Sequence, residues 1–178
     1  MDRFSLLTKL SGMTSYGYRC LKSTVKCQIS RSDNVVVKKV VIVNGEINLR
    51  THGNGDTLDI TAQVEKFVLD SKLTNGTVTV FVNGSTAGVT TIEFEPGLVA
   101  DFQKLWERLT PKNVSYDHNE RWGDGNGYAH VRASLLGASL VVPFADRKMT
   151  LGTWQQIILV DFDNRPRQRS VIVQVMGE

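Results

Sequence analysis

Gly123-Asp-Gly-Asn-Gly-Tyr-Ala-His-Val-Arg-Ala-Ser-Leu-Leu-Gly137 decides how the second half of the chain is read. Its first glycines enclose Asp124 and Asn126, the composition of a turn. After the turn, apolar and polar residues alternate. Ala129, Val131, Ala133 and Leu135 fall on one side of an extended chain, and Tyr128, His130, Arg132 and Ser134 on the other. The alternation predicts a strand over 128–136 with imidazole, guanidinium, phenol and hydroxyl on one face. The glycines let backbone N–H groups come close to a ligand. The plainer alternative is a turn followed by a wetted strand face.

Outward from this stretch, residues 140–144, 153–162 and 170–176 read as further strands. Upstream, Leu98, Phe102, Leu105, Trp106 and Leu109 recur at helical spacing behind Pro96. They predict a helix with a buried stripe that ends at Pro111. Ile60, Val64, Phe67 and Val68 predict another, started by Asp59 or Thr61 and stopped by Asn75-Gly76. Residues 77–82 and 89–94 alternate as strands around a glycine-bounded bend. Valine-rich residues 35–43 and residues 46–49 flank Asn44-Gly45, a type I′ hairpin signature. Two main helices among about eight short strands predict an α+β fold. The expected architecture is a compact, sandwich-like antiparallel β-sheet system, one domain over residues 35–178.

Apolar residues make up 41% of the 178 and charged residues 22%, which excludes wholesale disorder. No apolar run reaches the length of a membrane span. The net charge is +3, but residues 1–32 alone carry +5, leaving −2 for the rest. The body therefore lacks the basic footprint of a nucleic-acid-binding surface. Residues 1–34 read as a basic N-terminal extension, either a disordered tail or a transit-peptide-like segment. Cys20 and Cys27 both lie in it, and their spacing fits neither a CxxC motif nor a zinc knuckle. The expectation is a cytoplasmic chain with no nucleic-acid and no membrane partner.

The candidate site is built on histidine and arginine. His118 precedes the glycine-rich stretch and can meet His130 in space, as an acid–base pair or as two ligands of a shared metal. Asp124 or Glu93 would have to complete a zinc site. Arg165, Arg167 and Arg169 alternate beside Pro166. With Arg132 they form either an anion site or a solvated basic edge. His52 reads as a surface residue. Ser85 and Thr86 lie on the glycine-bounded bend with no base assigned to either. There is no Walker loop, no GxGxxG and no G-x-S-x-G.

The run Gly123–Ala133, followed by Ser134-Leu-Leu-Gly-Ala-Ser-Leu-Val-Val-Pro143 and Leu151-Gly-Thr-Trp-Gln-Gln-Ile157, resembles the YjbQ-like family. Thr86-Ala-Gly-Val-Thr-Thr-Ile-Glu-Phe-Glu-Pro-Gly-Leu98 and Val171-Ile-Val-Gln-Val-Met-Gly177 extend the resemblance. It implies a compact α+β homotrimer, a secondary thiamine-phosphate synthase activity, and a histidine-based active or metal site. On that basis His130, His118 and Asp124 are the catalytic candidates. Asn126, Arg132, Arg165 and Arg167 are the candidates for binding a phosphorylated small molecule. His118 and His130 are the candidate ligands of a divalent metal, zinc or magnesium. The chain departs from the family at Tyr128 and Gly123, where many relatives carry histidine, at Gly84, near which others do, and at Arg147, where a hairpin glycine is expected. The alternative to an enzyme is a non-catalytic trimeric anion- or metabolite-binding protein that has lost the family's metal ligands.

Overall fold

The computed structural model describes residues 39–178. The basic extension, both cysteines and residues 35–37 lie outside the described residues. The chain runs β1 (Val41–Thr51), β2 (Asp56–Asp59), α1 (Thr61–Ser71), β3 (Gly76–Asn83), β4 (Ala87–Ile92), α2 (Pro96–Leu109), α3 (Asp117–Trp122), α4 (Gly127–Leu136), β5 (Ser139–Ala145), β6 (Lys148–Met149), β7 (Gln156–Asp161) and β8 (Arg167–Gly177). One sheet has the order β1-β8-β3-β5-β6 and the other β2-β7-β4. Every pairing is antiparallel. The α+β class and the antiparallel, sandwich-like arrangement are therefore as expected, with α3 and α4 added to the two predicted helices.

The core follows from strand parity. Val78, Val80 and Val82 on β3, and Val171, Val173 and Val175 on β8, point inward from the large sheet. They meet Ile157 and Leu159 of β7, Val89 of β4, and Val64 and Val68 of α1. The alternate residues of β7 serve a second core. Ile158 and Val160, with Phe162 just beyond the strand, pack against Trp106 of α2 and Tyr128, Ala129 and Ala133 of α4. β7 is thus buried on both faces, which is why its sequence is apolar without alternation. Each fully buried side chain of this size contributes about 1.5–3 kcal/mol relative to exposure.

Four local expectations are corrected. The stretch after Gly127 is helix α4, not a strand, because its apolar contacts recur at helical spacing: Tyr128, Ala129 and Ala133 are buried, whereas Val131 and Leu135 are exposed. Asn119 Oδ1 accepts from the Gly127 N–H at 2.8 Å, which satisfies a donor at the helix start. Asn44-Gly45 makes no hairpin. β1 runs straight through it, paired along its whole length with β8. Gly45 is needed for space instead, since a Cβ there would stand 1.9 Å from Phe67 Cε1. α1 starts as expected, with the Asp59 carboxylate accepting from the Thr61 N–H at 2.8 Å. It stops earlier than Asn75-Gly76, at Lys72, which takes the left-handed conformation at φ 61°. On α2 only Trp106 of the predicted stripe is buried. Leu98, Leu105 and Leu109 are exposed.

Candidate functional site

α3 and α4 form a tight helical hairpin joined by Gly123-Asp124-Gly125-Asn126. Gly123 (φ 66°) and Gly125 (φ 68°) both occupy the left-handed region, where a side chain strains the backbone. The turn folds the helices together so that His118 near the start of α3 meets His130 on α4. Their ring centroids are 4.4 Å apart and the planes are tilted by 35°. Asp124 Oδ1 lies 3.3 Å from His118 Nδ1, outside hydrogen-bond alignment. With its amide oriented to satisfy both ends, buried Asn126 donates to the Asp124 carboxylate at 3.1 and 3.2 Å. The Asp124 carbonyl is held in turn by Asn164 Nδ2 at 2.7 Å.

This hairpin forms one wall of a cavity of about 480 Å³. Gly84, Ser85 and Thr86 from the β3–β4 turn line it, with Asp163, Arg167 and Arg169 from the end of β7 and start of β8. Trp122 stands at its rim, mostly exposed. Beneath the cavity lies a buried ionic network. Arg169 binds Asp161 through two bonds, Nε at 2.8 Å and Nη2 at 2.6 Å, and Nη2 also donates to Thr86 Oγ1 at 2.7 Å. Thr51 donates a short bond to the same aspartate. Thr86 donates onward to Asp163 at 2.9 Å, and Arg167 Nε reaches Asp163 at 2.8 Å. Asp161 and Asp163 are almost wholly buried, and this pairing supplies the partners that a buried carboxylate requires.

The electrostatics separate the two kinds of group. Burial opposes ionisation of Asp163. Hydrogen bonds from Thr86 and Arg167, with the Arg167 charge and the Asn164 N–H, outweigh it and hold the carboxyl below its ordinary range. His130 is shifted the other way for a base. Burial and then the neighbouring His118 lower its pKa, only partly offset by Asp124, Asp163 and a hydrogen bond to the Ser85 backbone. His130 is therefore a neutral imidazole at pH 7, able to accept a proton.

The structure brings His118, His130, Asp124, Asn126 and Arg167 to one cavity and leaves Arg132 and Arg165 outside its lining. Arg132 is 2% exposed and ties α4 to the end of α2. It donates to the Thr110 carbonyl at 3.0 and 2.6 Å and to Glu107 at 2.9 Å, with its guanidinium 4.9 Å from the Tyr128 ring. The strand reading put Arg132 beside His130; on a helix, residues two apart face away from each other. Arg165 is exposed. Sequence reasoning missed Asp161 and Asp163, and grouped Arg169 with a candidate anion site or basic edge without pairing it to a carboxylate. Their signal is Asp161-Phe-Asp163, one carboxylate on either side of a buried phenylalanine at the end of an apolar strand.

The model of the family described as UPF0047 protein YjbQ-like matches residues 45–178. The chain belongs to the YjbQ-like family. A UPF0047 protein of Archaeoglobus fulgidus is 40% identical over 131 residues, covering 74% of this chain and 99% of that protein. The UPF0047 protein YugU of Bacillus subtilis is 31% identical, covering 74% and 97%. Among solved structures, a protein of unknown function from Sulfolobus solfataricus superposes with a TM-score of 0.75 at 35% identity, covering 79% of this chain and all (100%) of that one.

The donors present do not form the site that the divalent metal implied by the YjbQ-like resemblance needs. Among the described residues, no three His, Cys, Asp or Glu side chains gather closely enough to hold a metal ion. Two imidazoles in ring-to-ring contact do not fit a zinc site, which takes at least three protein ligands. Tyr128 bears on this differently from the sequence reading. It is buried against α2 rather than turned to the cavity, so the side chain at that position is not part of the His118–His130 wall.

Proposed function

We propose that this YjbQ-like chain is an enzyme acting on phosphorylated small metabolites, with its reaction centre between the His118–His130 wall and Arg167. The carrying observation is the meeting, in one cavity of about 480 Å³, of a paired imidazole couple and a guanidinium edge. Imidazole N–H groups donate hydrogen bonds to phosphoryl oxygens, and guanidinium holds those oxygens as a cation. The reaction we propose is that of a thiamine-phosphate synthase, on the strength of the family resemblance. The ring nitrogen of a thiazole phosphate attacks the methylene carbon of a pyrimidine pyrophosphate. A C–N bond forms as the C–O bond breaks, and pyrophosphate leaves with the electron pair. Holding both substrates in line supplies much of the acceleration, and Arg167 stabilises the charge on the departing pyrophosphate. Asp124 and Asn126 keep the imidazole wall in place.

We further propose a cytoplasmic homotrimer. Leu98, Leu105 and Leu109 on α2, and Ile42, Phe81, Val141 and Met176 on the outer face of the large sheet, are exposed apolar groups available for subunit contact.

The test is an assay of pyrophosphate release from the thiazole and pyrimidine substrates. His130→Ala should lower turnover by about 10²–10³-fold while the oligomer stays intact by light scattering. Undiminished turnover in that variant removes His130 from the mechanism. The rival reading, a binding protein without turnover, is favoured by the lack of a three-ligand cluster among the described residues. It gains if the parent releases no pyrophosphate yet binds it.

A further inference from the structure

Arg169 is only 7% exposed, and two of its three guanidinium nitrogens are committed. Nε and Nη2 are locked on Asp161, and Nη2 also on Thr86. Among the described residues no group accepts a hydrogen bond from Nη1. That nitrogen faces Gly84, where a Cβ would lie 2.9 Å from Nη1 and 3.9 Å from Cζ. Gly84 and Arg169 both line the cavity. A surface arginine would swing aside for a methyl group. This one cannot move without breaking its two-bond pairing with a buried carboxylate. Gly84 has no positive φ, so its backbone does not demand glycine. What the position requires is the space.

We propose that Gly84 and Arg169 together form an oxyanion-accepting edge of the cavity, Arg169 by presenting Nη1 and Gly84 by leaving the approach open. The ligand group is a phosphoryl or pyrophosphoryl oxygen. A cationic N–H left unpaired by the protein at the cavity surface is satisfied by an anionic acceptor far better than by a neutral one. Asp161 is the positioning residue, because its carboxylate fixes the plane of the guanidinium before any ligand arrives. The proposal rests on the reading of this cavity as the ligand site, and it makes Gly84 the residue that sets anion affinity there. A side chain at 84 closes the edge without touching the imidazole wall.

The experiment is calorimetric titration of the full chain with inorganic pyrophosphate, for the parent, Gly84→Ala and the exposed-turn control Asn83→Ala. The parent and Asn83→Ala should bind one pyrophosphate per chain with equal affinity, and Gly84→Ala at least about tenfold more weakly. Gly84→Ala should still unfold in one cooperative transition and stay fully folded at the titration temperature, which separates a closed edge from an unfolded chain. Equal affinity in Gly84→Ala, or no binding by the parent, overturns the proposal. Parent binding that falls in Gly84→Ala without any turnover keeps this edge and sinks the transferase reaction alone. Arg169→Lys is the second variant. It should weaken pyrophosphate binding as well, since an ammonium cannot pair with Asp161 and present a further donor in the same plane. Unchanged affinity there would also count against the proposal.

Discussion

The His118 and His130 rings, 4.4 Å apart, come from two helices joined by only four residues, Gly123 to Asn126. Burial raises the cost of charging the His130 ring, and the neighbouring His118 adds to it.

A pH dependence of stability follows. His130 titrates below the ordinary imidazole value in the folded chain. Above about pH 6.5 the ring is neutral in both states and contributes no penalty. As the pH falls through that value the unfolded chain binds the proton first, and stability is lost until the folded ring titrates too. His130→Gln should shrink the stability difference between about pH 7.5 and pH 5, measured by urea denaturation. An unchanged difference would assign the acid sensitivity to another group.

Arg132 is expected to matter for folding and not for ligand binding. Arg132→Met leaves the Thr110 carbonyl and Glu107 without their donor and should cost about 2–3 kcal/mol. Pyrophosphate affinity in the His118–His130 cavity should remain at the parent's value. A selective loss of affinity with stability intact would return Arg132 to the substrate-binding set.

Gly45 carries the packing of α1 on the large sheet. A methyl group there meets the Phe67 ring far inside contact distance. Gly45→Ala should therefore destabilise by about 1–3 kcal/mol. Combining it with Phe67→Leu should recover part of that loss in a double-mutant cycle, whereas strict additivity would show that the two positions do not press on each other.

Arg147 sits at φ 63° beside Asp146 at φ 50°, in the β5–β6 turn. Two successive left-handed residues are the geometry in which Asp-Gly is preferred. Arg147→Gly should raise stability by about 0.5–1 kcal/mol. The gain is less than the full left-handed penalty because glycine loses more entropy and the bond from Arg147 to the Leu69 carbonyl disappears. A lower thermal midpoint in this variant would show that the hydrogen bond outweighs the backbone strain.

The legible parts of the fold were those where one period dominates. Ile60, Val64 and Val68 repeat every four residues and are all fully buried in the α1 layer. Val78, Val80 and Val82 alternate and fill the large sheet's inner face. Residues 128–136 were misread because nine residues with two alanines satisfy both periods. What decides between them is outside the segment: Asn119 capping Gly127, and Gly88 of β4 giving α4 room to settle on the small sheet. The meeting of the two imidazoles was legible from the spacing of the loop. The acidic floor was not, since pairing Asp161 with Arg169 depends on the turn between β7 and β8, and no local pattern announces it.

β7 imposes an asymmetry on how this protein can drift. Its alternate side chains anchor two separate layers, and it delivers Asp161 to the cavity floor in the same six residues. Mutational change along it is penalised from both sides, so the floor survives wherever the domain survives. The α3–α4 hairpin carries no such double duty at its cavity-facing positions. Gain, loss or exchange of chemistry in descendants of this chain should accordingly be written in the helical wall, while the acidic floor persists as an architectural relic even in copies that have stopped working.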